Sequence, residues 1–376
     1  MKKKYRSHLI YAAGFVLVLV FNAGCKKSNI KSPAKGNEDV TNISIYSPIN
    51  GIEEVNLVAN KSIYNPSLID ENLLNAWGIA ADPDEGDIWV SANHAGVSTV
   101  YDKLGNTLQP PVFIPAADGV SPGAPTGVIY NTTTDFKIHA LALRGTVATD
   151  FIFAGEDGTI SAWASGASAA TLSANRSGRG AVYKGIALAD DSGNNFLYVA
   201  NFGQGKVDVF DKNFNYVKDK PFIDASIPKG YAPFNIRNIN GNLYVTYAFQ
   251  KVGHQDDSAG LGRGYINIFT PGGMLIKRFA SQGKLNSPWG MVSSSPGFTD
   301  VPNAILIGNF GDGRINVFDD AGNFKGQLMD KNNHPIIIDG LWALENNIPG
   351  ISMNQLYFTA GPAEEEDGIF GYLIKK

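Results

Sequence analysis

The sequence repeats with a period of about fifty residues, and this periodicity constrains the fold more than any other feature. Each unit opens with a short apolar segment such as Ala76-Trp77-Gly78-Ile79 or Lys184-Gly185-Ile186-Ala187. Two segments rich in β-branched and aromatic residues follow, separated by Gly, Asn and Asp. Positions 78, 127, 185, 235, 290 and 343 align, with spacings of 49, 58, 50, 55 and 53 residues. Short strands and turns repeated at this period predict the blades of a β-propeller.

The predicted fold is an all-β, six-bladed propeller spanning residues 51–376. No segment keeps a 3.6-residue apolar period, so few helices are expected. The 42 glycines and 19 prolines supply turns, and the 44% hydrophobic content supplies a core. The last unit stops after its third strand near Ile374, while residues 55–59 precede the first unit and have no place in it. Pairing residues 55–59 as the outer strand of the last blade would close the ring and remove open strand edges.

The units resemble NHL repeats. The resemblance rests on the plan Pro-x-Gly, apolar-Tyr-Val-x-Asn and Gly-x-Ile-x-Val-Phe-Asp-x-x-Gly, and on strings such as Asn75-Ala76-Trp77-Gly78-Ile79 and Gly308-Asn309-Phe310-Gly311-Asp312-Gly313-Arg314. From about residue 56 to residue 373 the chain is similar to an uncharacterised family of exported bacterial propeller proteins. That resemblance implies a fold and a compartment, and it implies no substrate.

The first 24 residues have the pattern of a lipoprotein-type signal peptide. Four basic residues precede an apolar run from Leu9 to Phe21, which is too short for a bilayer span of about 20 residues. Asn22-Ala23-Gly24-Cys25 then resembles a lipobox, although Asn22 stands where an apolar residue is usual. Cys25, the single cysteine, is the predicted lipidation site, and an ordinary cleaved signal is the alternative. Residues 25–50 are polar and predict a flexible tether.

These features predict a lipoprotein anchored to a membrane of the cell envelope, facing the periplasm or the cell surface. Removing the four basic residues of the signal leaves 27 Lys and Arg against 35 Asp and Glu, a formal net charge of −8. No basic stripe with interleaved aromatics is present in the sequence, so nucleic acid is not an expected partner. The expected partners are a membrane, through the lipid anchor, and an envelope or extracellular protein or glycan.

Candidate ligand-binding residues fall on one face of the predicted propeller, where the loops that enter the first strand (a) and join the second to the third (b to c) surround the channel mouth. Asn93, Asn201 and Asn309 each end a strand b and are 108 residues apart, which places them in alternate blades. In the three intervening blades the equivalent places are taken by Asp157, by the long loop at residues 250–264 and by the acidic run at residues 364–367. The entrances to strand a add aromatic side chains, at Trp77, Trp289 and Trp342. The competing interpretation is that the asparagines are turn residues and the tryptophans pack between blades.

A rim of amides, carboxylates and aromatics is suited to a polar ligand such as a sugar, a peptide or a hard cation, and Ca²⁺ is a possible cofactor. The acidic run at residues 364–367 could coordinate Ca²⁺ or simply be solvated. The histidines show no metal-ligand spacing, and a nucleophile elbow and a phosphate-binding loop are both missing from the sequence. Two functions are therefore predicted. The first is a binding or scaffolding module of the cell envelope, and the alternative is a metal-dependent hydrolase or lactonase at the channel mouth.

Overall fold

The computed structural model describes residues 49–140 and 145–376, so the signal segment, Cys25 and nearly all of the predicted tether lie outside the described residues. The described strands form six sheets of four or five strands and one separate hairpin. The helices of this part of the chain are three single turns of 3-10 helix, at Ser62–Tyr64, Asn93–Ala95 and Ser177–Arg179. No helix among these residues is long and apolar enough to cross a membrane. The predicted all-β, six-bladed propeller is confirmed.

Each blade is a sheet whose strands follow one another from the inside outward. Blades 1 to 3 are β3 (Ala76–Ala81), β4 (Ile88–Ala92), β5 (Val97–Tyr101) and β6 (Thr107–Phe113); β7 (Pro125–Tyr130), β10 (Phe151–Gly155), β11 (Thr159–Trp163) and β12 (Thr171–Asn175); and β13 (Tyr183–Asp191), β14 (Asn194–Asn201), β15 (Lys206–Phe210) and β16 (Tyr216–Val217). Blades 4 to 6 are β17 (Tyr231–Ile239), β18 (Asn242–Phe249), β19 (Tyr265–Phe269) and β20 (Leu275–Ser281); β21 (Pro288–Ser293), β22 (Ile305–Asn309), β23 (Ile315–Phe318) and β24 (Phe324–Gln327); and β25 (Leu341–Glu345), β26 (Gln355–Ala360), β27 (Ile369–Lys375) and β1 (Ile52–Ala59).

The ring closes by pairing the two ends of the propeller. Strand β1 is antiparallel to β27, with Ile52 opposite Lys375 and Ala59 opposite Ile369. The short strand β2 (Leu68–Ile69) then adds to the outside of β1 in parallel. The predicted closure by the segment around residues 55–59 is therefore confirmed. Closure consumes an edge that would otherwise be open to other chains.

The uneven spacing of the repeats has a structural cause. The longest interval, 58 residues, contains an additional hairpin of β8 (Lys137–Ala140) and β9 (Gly145–Ala148) between the first two strands of blade 2. In blade 4 the connection between β18 and β19 is a long loop at residues 250–264. The hairpin was not predicted, whereas the long loop was.

Blades are held to one another by aromatic packing between their sheets. Trp89 of blade 1 stacks on Phe151 of blade 2 with ring centroids 4.4 Å apart. Tyr101 stacks on Phe370 of blade 6 at 5.5 Å across the closure. The side chains of Trp89 and Tyr101 are both buried. Large rings suit this interface because each buries 150–250 Å² at a small cost in conformational entropy.

A β-bulge lies near the start of every inner strand, at or next to the aligned positions 78, 127, 185, 235, 290 and 343. In blade 1 the pairing with β4 shifts between Ala76 and Ile79, so Trp77-Gly78 bulges. The other inner strands shift at the equivalent positions. A bulge redirects the side chain it carries. The six redirected side chains belong to Trp77, Thr126, Lys184, Phe234, Trp289 and Trp342.

Glycine is required after Trp77 because inner strands of neighbouring blades approach closely there. A Cβ on Gly78 would lie 2.4 Å from the carbonyl oxygen of Thr126, which is backbone and cannot move aside. A Cβ on Gly185 would lie 2.0 Å from Oδ1 of Asn235. The aligned glycines thus mark the contact of adjacent inner strands around the axis.

Candidate functional site at the channel mouth

The central channel is closed by aromatic side chains delivered by the bulges. Trp342 lies between Trp77 and Phe310, with ring centroids 3.7 Å and 3.9 Å away and near-parallel planes. Trp289 meets the rings of Trp77 and Trp342 edge-on at 6.4 Å and 5.8 Å, and Phe234 lies 5.9 Å from Trp342. All three tryptophans are buried. This aromatic plug separates the two ends of the channel into independent cavities.

The face that carries the starts of the inner strands also carries the b–c loops, as the pairing of Ala76 with Ala92 and of Leu341 with Ala360 shows. On this upper face, a pocket of about 240 Å³ lies directly on the plug. We call it the mouth pocket. It is lined by aromatic residues of the plug, by one lysine of blade 3, by five residues of the loop at 250–264 and by one carboxylate of blade 6. These residues are Trp77, Trp342, Phe310, Lys184, Lys251, Asp256, Asp257, Ser258, Ala259 and Glu365.

Lys184 is the buried cation of the mouth pocket. It stands at the same bulge position as the tryptophans, and its side chain is 3% exposed. Its ammonium pairs with the carboxylate of Glu156 from the b–c loop of blade 2 and lies 4.8 Å from the centroid of the Trp77 ring. The second oxygen of Glu156 accepts a hydrogen bond of 3.1 Å from Asn93 Nδ2. The Glu156 carboxylate and the indole face of Trp77 therefore hold the Lys184 ammonium in place.

Glu365 is a carboxylate held at the pocket wall by a strained turn. Ala363, Glu364 and Glu365 all have positive φ, at 57°, 57° and 72°. Each residue in the left-handed region costs about 1–3 kcal/mol and persists only where its surroundings impose it. Burial raises the pKa of Glu365, the nearby Glu156 carboxylate adds to that rise, and Asn75 and Lys184 act against it. Glu365 Oε2 accepts a hydrogen bond of 2.9 Å from Asn75 Nδ2.

The turn is anchored by the segment that follows the closing strand. Asp367 is buried, and its carboxylate accepts hydrogen bonds from Asn60 Nδ2 at 2.9 Å and from the Tyr64 hydroxyl at 2.7 Å. Lys61 Nζ lies 2.7 Å from the same carboxylate. Burial acts to raise the pKa of Asp367, but these three partners outweigh it and lower the pKa. Ring closure therefore also fixes the turn that presents Glu365.

Asp257 brings a second buried carboxylate to the mouth pocket. Burial raises the pKa of its carboxyl group, and the neighbouring Ser287 hydroxyl and the positive charges of Lys184 and Lys251 oppose that rise. Its Oδ2 is buried and has no hydrogen-bond partner within the described residues. The indole N–H of Trp77, on the floor of the same pocket, is unpaired in the same way. Unpaired buried polar atoms cost about 1–3 kcal/mol each, so both atoms are a cost to stability beside the pocket.

The three predicted asparagines do not contact one another. Asn201 is tied to its own blade, since Nδ2 donates to Asp208 at 2.9 Å and Oδ1 accepts from the Gln204 amide at 3.1 Å. Asn309 Nδ2 donates to the carbonyl of Lys284 at 2.8 Å and to Asp312 at 3.0 Å. Of the three, Asn93 alone donates a hydrogen bond to Glu156, the carboxylate that pairs with Lys184. All three follow or end the second strands, as predicted, but their side chains are buried, which the spacing did not predict. Their role as ligands stays a prediction.

The remaining predicted residues are divided between the pocket and its surroundings. Trp77 and Trp342 line the mouth pocket, whereas Trp289 packs edge-on in the plug. Asp157 accepts hydrogen bonds from the backbone amide of Ala117 and from the Thr159 hydroxyl, both at 2.6 Å, and so organises the entrance to blade 2. Within the described ranges, no group of three or more His, Cys, Asp or Glu side chains could hold a metal ion.

One residue of the site, Asn75, was not predicted from the sequence, because it precedes the strand that carries the repeat motif. Asp257 and Glu365 were predicted only as members of the rim loops at residues 250–264 and 364–367, and neither was named as a ligand-binding residue. The length of the blade 4 loop is the signal that points to Asp257, since long connections in compact domains are often functional.

Comparison with known proteins identifies relatives along most of the chain. The chain is 34% identical to the uncharacterized protein L690 of Acanthamoeba polyphaga mimivirus over 335 residues, which cover 85% of this chain and 84% of L690. It is 32% identical to the uncharacterized protein R648 of the same virus over 333 residues, covering 86% of this chain and 80% of R648. No family model matches the sequence.

Among solved structures, an α-L-arabinanase from Penicillium chrysogenum superposes with a TM-score of 0.52 at 12% identity. The match covers 86% of this chain and 97% of the arabinanase. At this identity the likeness concerns the fold alone.

Proposed function

This chain belongs to the same propeller family as L690 and R648 of Acanthamoeba polyphaga mimivirus, and we propose that it binds a saccharide in the mouth pocket. The protein is then a binding module rather than a scaffold alone. The observation that carries the proposal is that one pocket joins the partly exposed ring of Phe310 to the carboxylates of Asp257 and Glu365.

The chemistry of the pocket favours a neutral, hydroxyl-rich ligand. Sugar rings present apolar C–H faces that pack on aromatic rings, and hydroxyls that both donate and accept hydrogen bonds. Glu365 and Asp257 offer acceptors, and the exposed ammonium of Lys251 offers donors. The lining charges comprise two lysines and three carboxylates, joined by Glu156 behind Lys184, so the pocket does not favour a strongly anionic ligand.

We also propose that the propeller acts in the cell envelope of a bacterium, tethered through a lipid on Cys25. The support is the sequence alone: a basic segment, a short apolar run and a cysteine after small residues. Such a tether would present the mouth pocket to extracellular or periplasmic glycans.

The proposal is tested by glycan-array binding of the fluorescently labelled propeller, followed by calorimetry with the retained saccharides. The test variant combines Glu365→Gln with Asp257→Asn, which keeps the size of both side chains. Glu364→Gln is the matched control, because Glu364 is exposed and lies in the same turn. We expect the double variant to lose binding by roughly 10- to 100-fold, the value of one charged hydrogen bond of about 1.5–3 kcal/mol, and the control to bind normally.

Two results would contradict the proposal. One is an array on which the wild-type propeller retains no saccharide. The other is a saccharide whose affinity is the same for the wild type and for the double variant, which would place its site elsewhere on the molecule.

A further inference from the structure

A second cavity opens at the opposite end of the channel, below the aromatic plug. We call it the lower funnel. Its volume is about 360 Å³, larger than that of the mouth pocket and within the range of about 300–1,000 Å³ typical of ligand sites. Its wall is formed by inner-strand residues of five blades and is about equally polar and apolar. The partly exposed apolar side chains on it are those of Ala81, Ile129 and Leu188.

The wall of the lower funnel includes one positively charged side chain, that of Arg237. Arg237 of blade 4 donates from Nη2 to Glu345 Oε2 of blade 6 at 2.7 Å, and its side chain stays 26% exposed. The guanidinium makes no other side-chain hydrogen bond within the described residues, which leaves most of its five N–H donors for a ligand. Glu345 is already occupied, because its Oε1 accepts from the backbone amides of Asn346 at 3.0 Å and Asn347 at 2.8 Å. The remaining N–H donors of Arg237 are therefore available to a hydrogen-bond acceptor, such as a carboxylate.

The rim of the lower funnel has the opposite charge. The turn between β3 and β4 contains Asp82, Asp84, Glu85 and Asp87, and Pro83 of that turn is part of the funnel wall. Burial raises the pKa of Tyr130, another wall residue, and the negative charges of Asp82, Asp150, Asp84 and Glu85 raise it further. A simple anion would be repelled at this rim, whereas a ligand with a positive group beside its carboxylate would not.

We propose that the lower funnel is a second binding site, independent of the mouth pocket, for an apolar α-amino acid or a short apolar peptide. The carboxylate would accept paired hydrogen bonds from Arg237, which presents them in a fixed planar fork. The apolar side chains would pack on Ala81, Ile129 and Leu188. The ammonium would face the acidic turn that carries Asp82.

The proposal is tested by isothermal titration calorimetry of the propeller with the dipeptide Leu-Leu. Three related compounds each remove one recognised feature: N-acetyl-Leu-Leu lacks the ammonium, Leu-Leu amide lacks the carboxylate, and Gly-Gly lacks the apolar side chains. We expect Leu-Leu to bind, and each of the other three compounds to bind at least roughly 10-fold more weakly.

Two variants locate the site. Arg237→Gln is combined with Glu345→Gln, so that no buried carboxylate is left without its partner. Ala81→Trp keeps both charges and fills the funnel. Both are expected to reduce Leu-Leu affinity by roughly 10- to 100-fold, while Glu365→Gln in the mouth pocket leaves it unchanged. Circular dichroism and thermal unfolding confirm that each variant is folded.

Absence of Leu-Leu binding to the wild type would overturn the proposal. So would unchanged Leu-Leu affinity in a folded Ala81→Trp variant, or equal affinity for Leu-Leu and its amide. Saccharide binding at the mouth pocket is measured on the same variants, and its presence or absence does not bear on these outcomes.

Discussion

The indole Nε1 of Trp342 donates a hydrogen bond of 2.8 Å to Oδ1 of Asn75, a residue 267 positions earlier in the chain. Through its other side-chain atom, Nδ2, the same asparagine holds Glu365. Asn75 is fully buried, so it connects the aromatic plug to the charged wall of the mouth pocket without contact with water. The plug and the carboxylate are therefore positioned by a single amide.

Replacing Asn75 tests this connection. Asn75→Ala leaves the Trp342 N–H buried without a partner and places alanine at a φ of 46°, so we expect a loss of about 2–4 kcal/mol in the free energy of unfolding. Asn72→Ala, at an exposed position in the same connection, is the control and should change it by less than about 0.5 kcal/mol. Urea unfolding monitored by tryptophan fluorescence measures both, and equal effects would argue against a special role of Asn75.

The raised pKa of Glu365 predicts a stability cost at neutral pH. A carboxyl group whose pKa is higher in the folded than in the unfolded chain makes the folded state more stable as pH falls through that interval. Glu365→Gln removes the cost and should raise the melting temperature at pH 7. The gain should vanish below about pH 4, near the ordinary glutamate pKa of about 4.3, where both forms are neutral. Melting curves from about pH 3 to about pH 8 measure this, with Glu364→Gln as the control; a gain that does not depend on pH would contradict the explanation.

The close contact of inner strands predicts a severe effect of a single methyl group. Gly78→Ala should destabilise the propeller by about 3 kcal/mol or more, because its Cβ would overlap backbone atoms of blade 2. Gly178→Ala is the matched control, since a Cβ there meets nothing within 4 Å. Denaturant unfolding of the two variants should separate them clearly, and similar midpoints would show that the inner strands can move apart.

Ring closure by β1 predicts that one charge in that strand destabilises the whole propeller. Val58 is completely buried opposite Phe370. Val58→Asp places an unpaired carboxylate between strands and should cost about 4 kcal/mol or more. Glu53→Gln, at an exposed position of the same strand, should cost less than about 0.5 kcal/mol. Thermal unfolding and limited proteolysis report the difference, and a stable Val58→Asp variant would show that the ring does not depend on β1.

The proposed lipid anchor predicts that Cys25 carries the label when the full chain is expressed in bacteria fed radioactive palmitate. Cys25→Ser should abolish labelling and move the protein from the membrane fraction to the soluble fraction, because it removes the acylated thiol. Lys26→Ala, at the adjacent position, is the control and should be labelled normally. Equal labelling of the Cys25→Ser variant would contradict the proposal.

The sequence predicts the blades well because each blade is a local structure. Most strands within a blade follow one another along the chain and are joined by short turns, so the apolar segments near Trp77, Lys184 and Trp289 mark the inner strands correctly. The closing strand could be predicted too, since a three-stranded last unit and an unassigned first segment complete each other. The hairpin at residues 137–148 could not, because short apolar runs without a repeat do not reveal whether they join a blade.

The mouth pocket is different, because its residues are neighbours only in the folded ring. Lys184, Glu156 and Glu365 belong to three blades, and no spacing in the sequence joins them. The regular spacing of Asn93, Asn201 and Asn309 reflects their common place at the end of a strand, while their bonding partners are set by loops that differ from blade to blade. The sequence alone determined the number of blades, the closing strand and the six side chains at the inner bulges. Only the tertiary structure decided that the tryptophans close the channel and that Asn75 and Glu365 meet above it, because ring closure brings the first and last blades into contact.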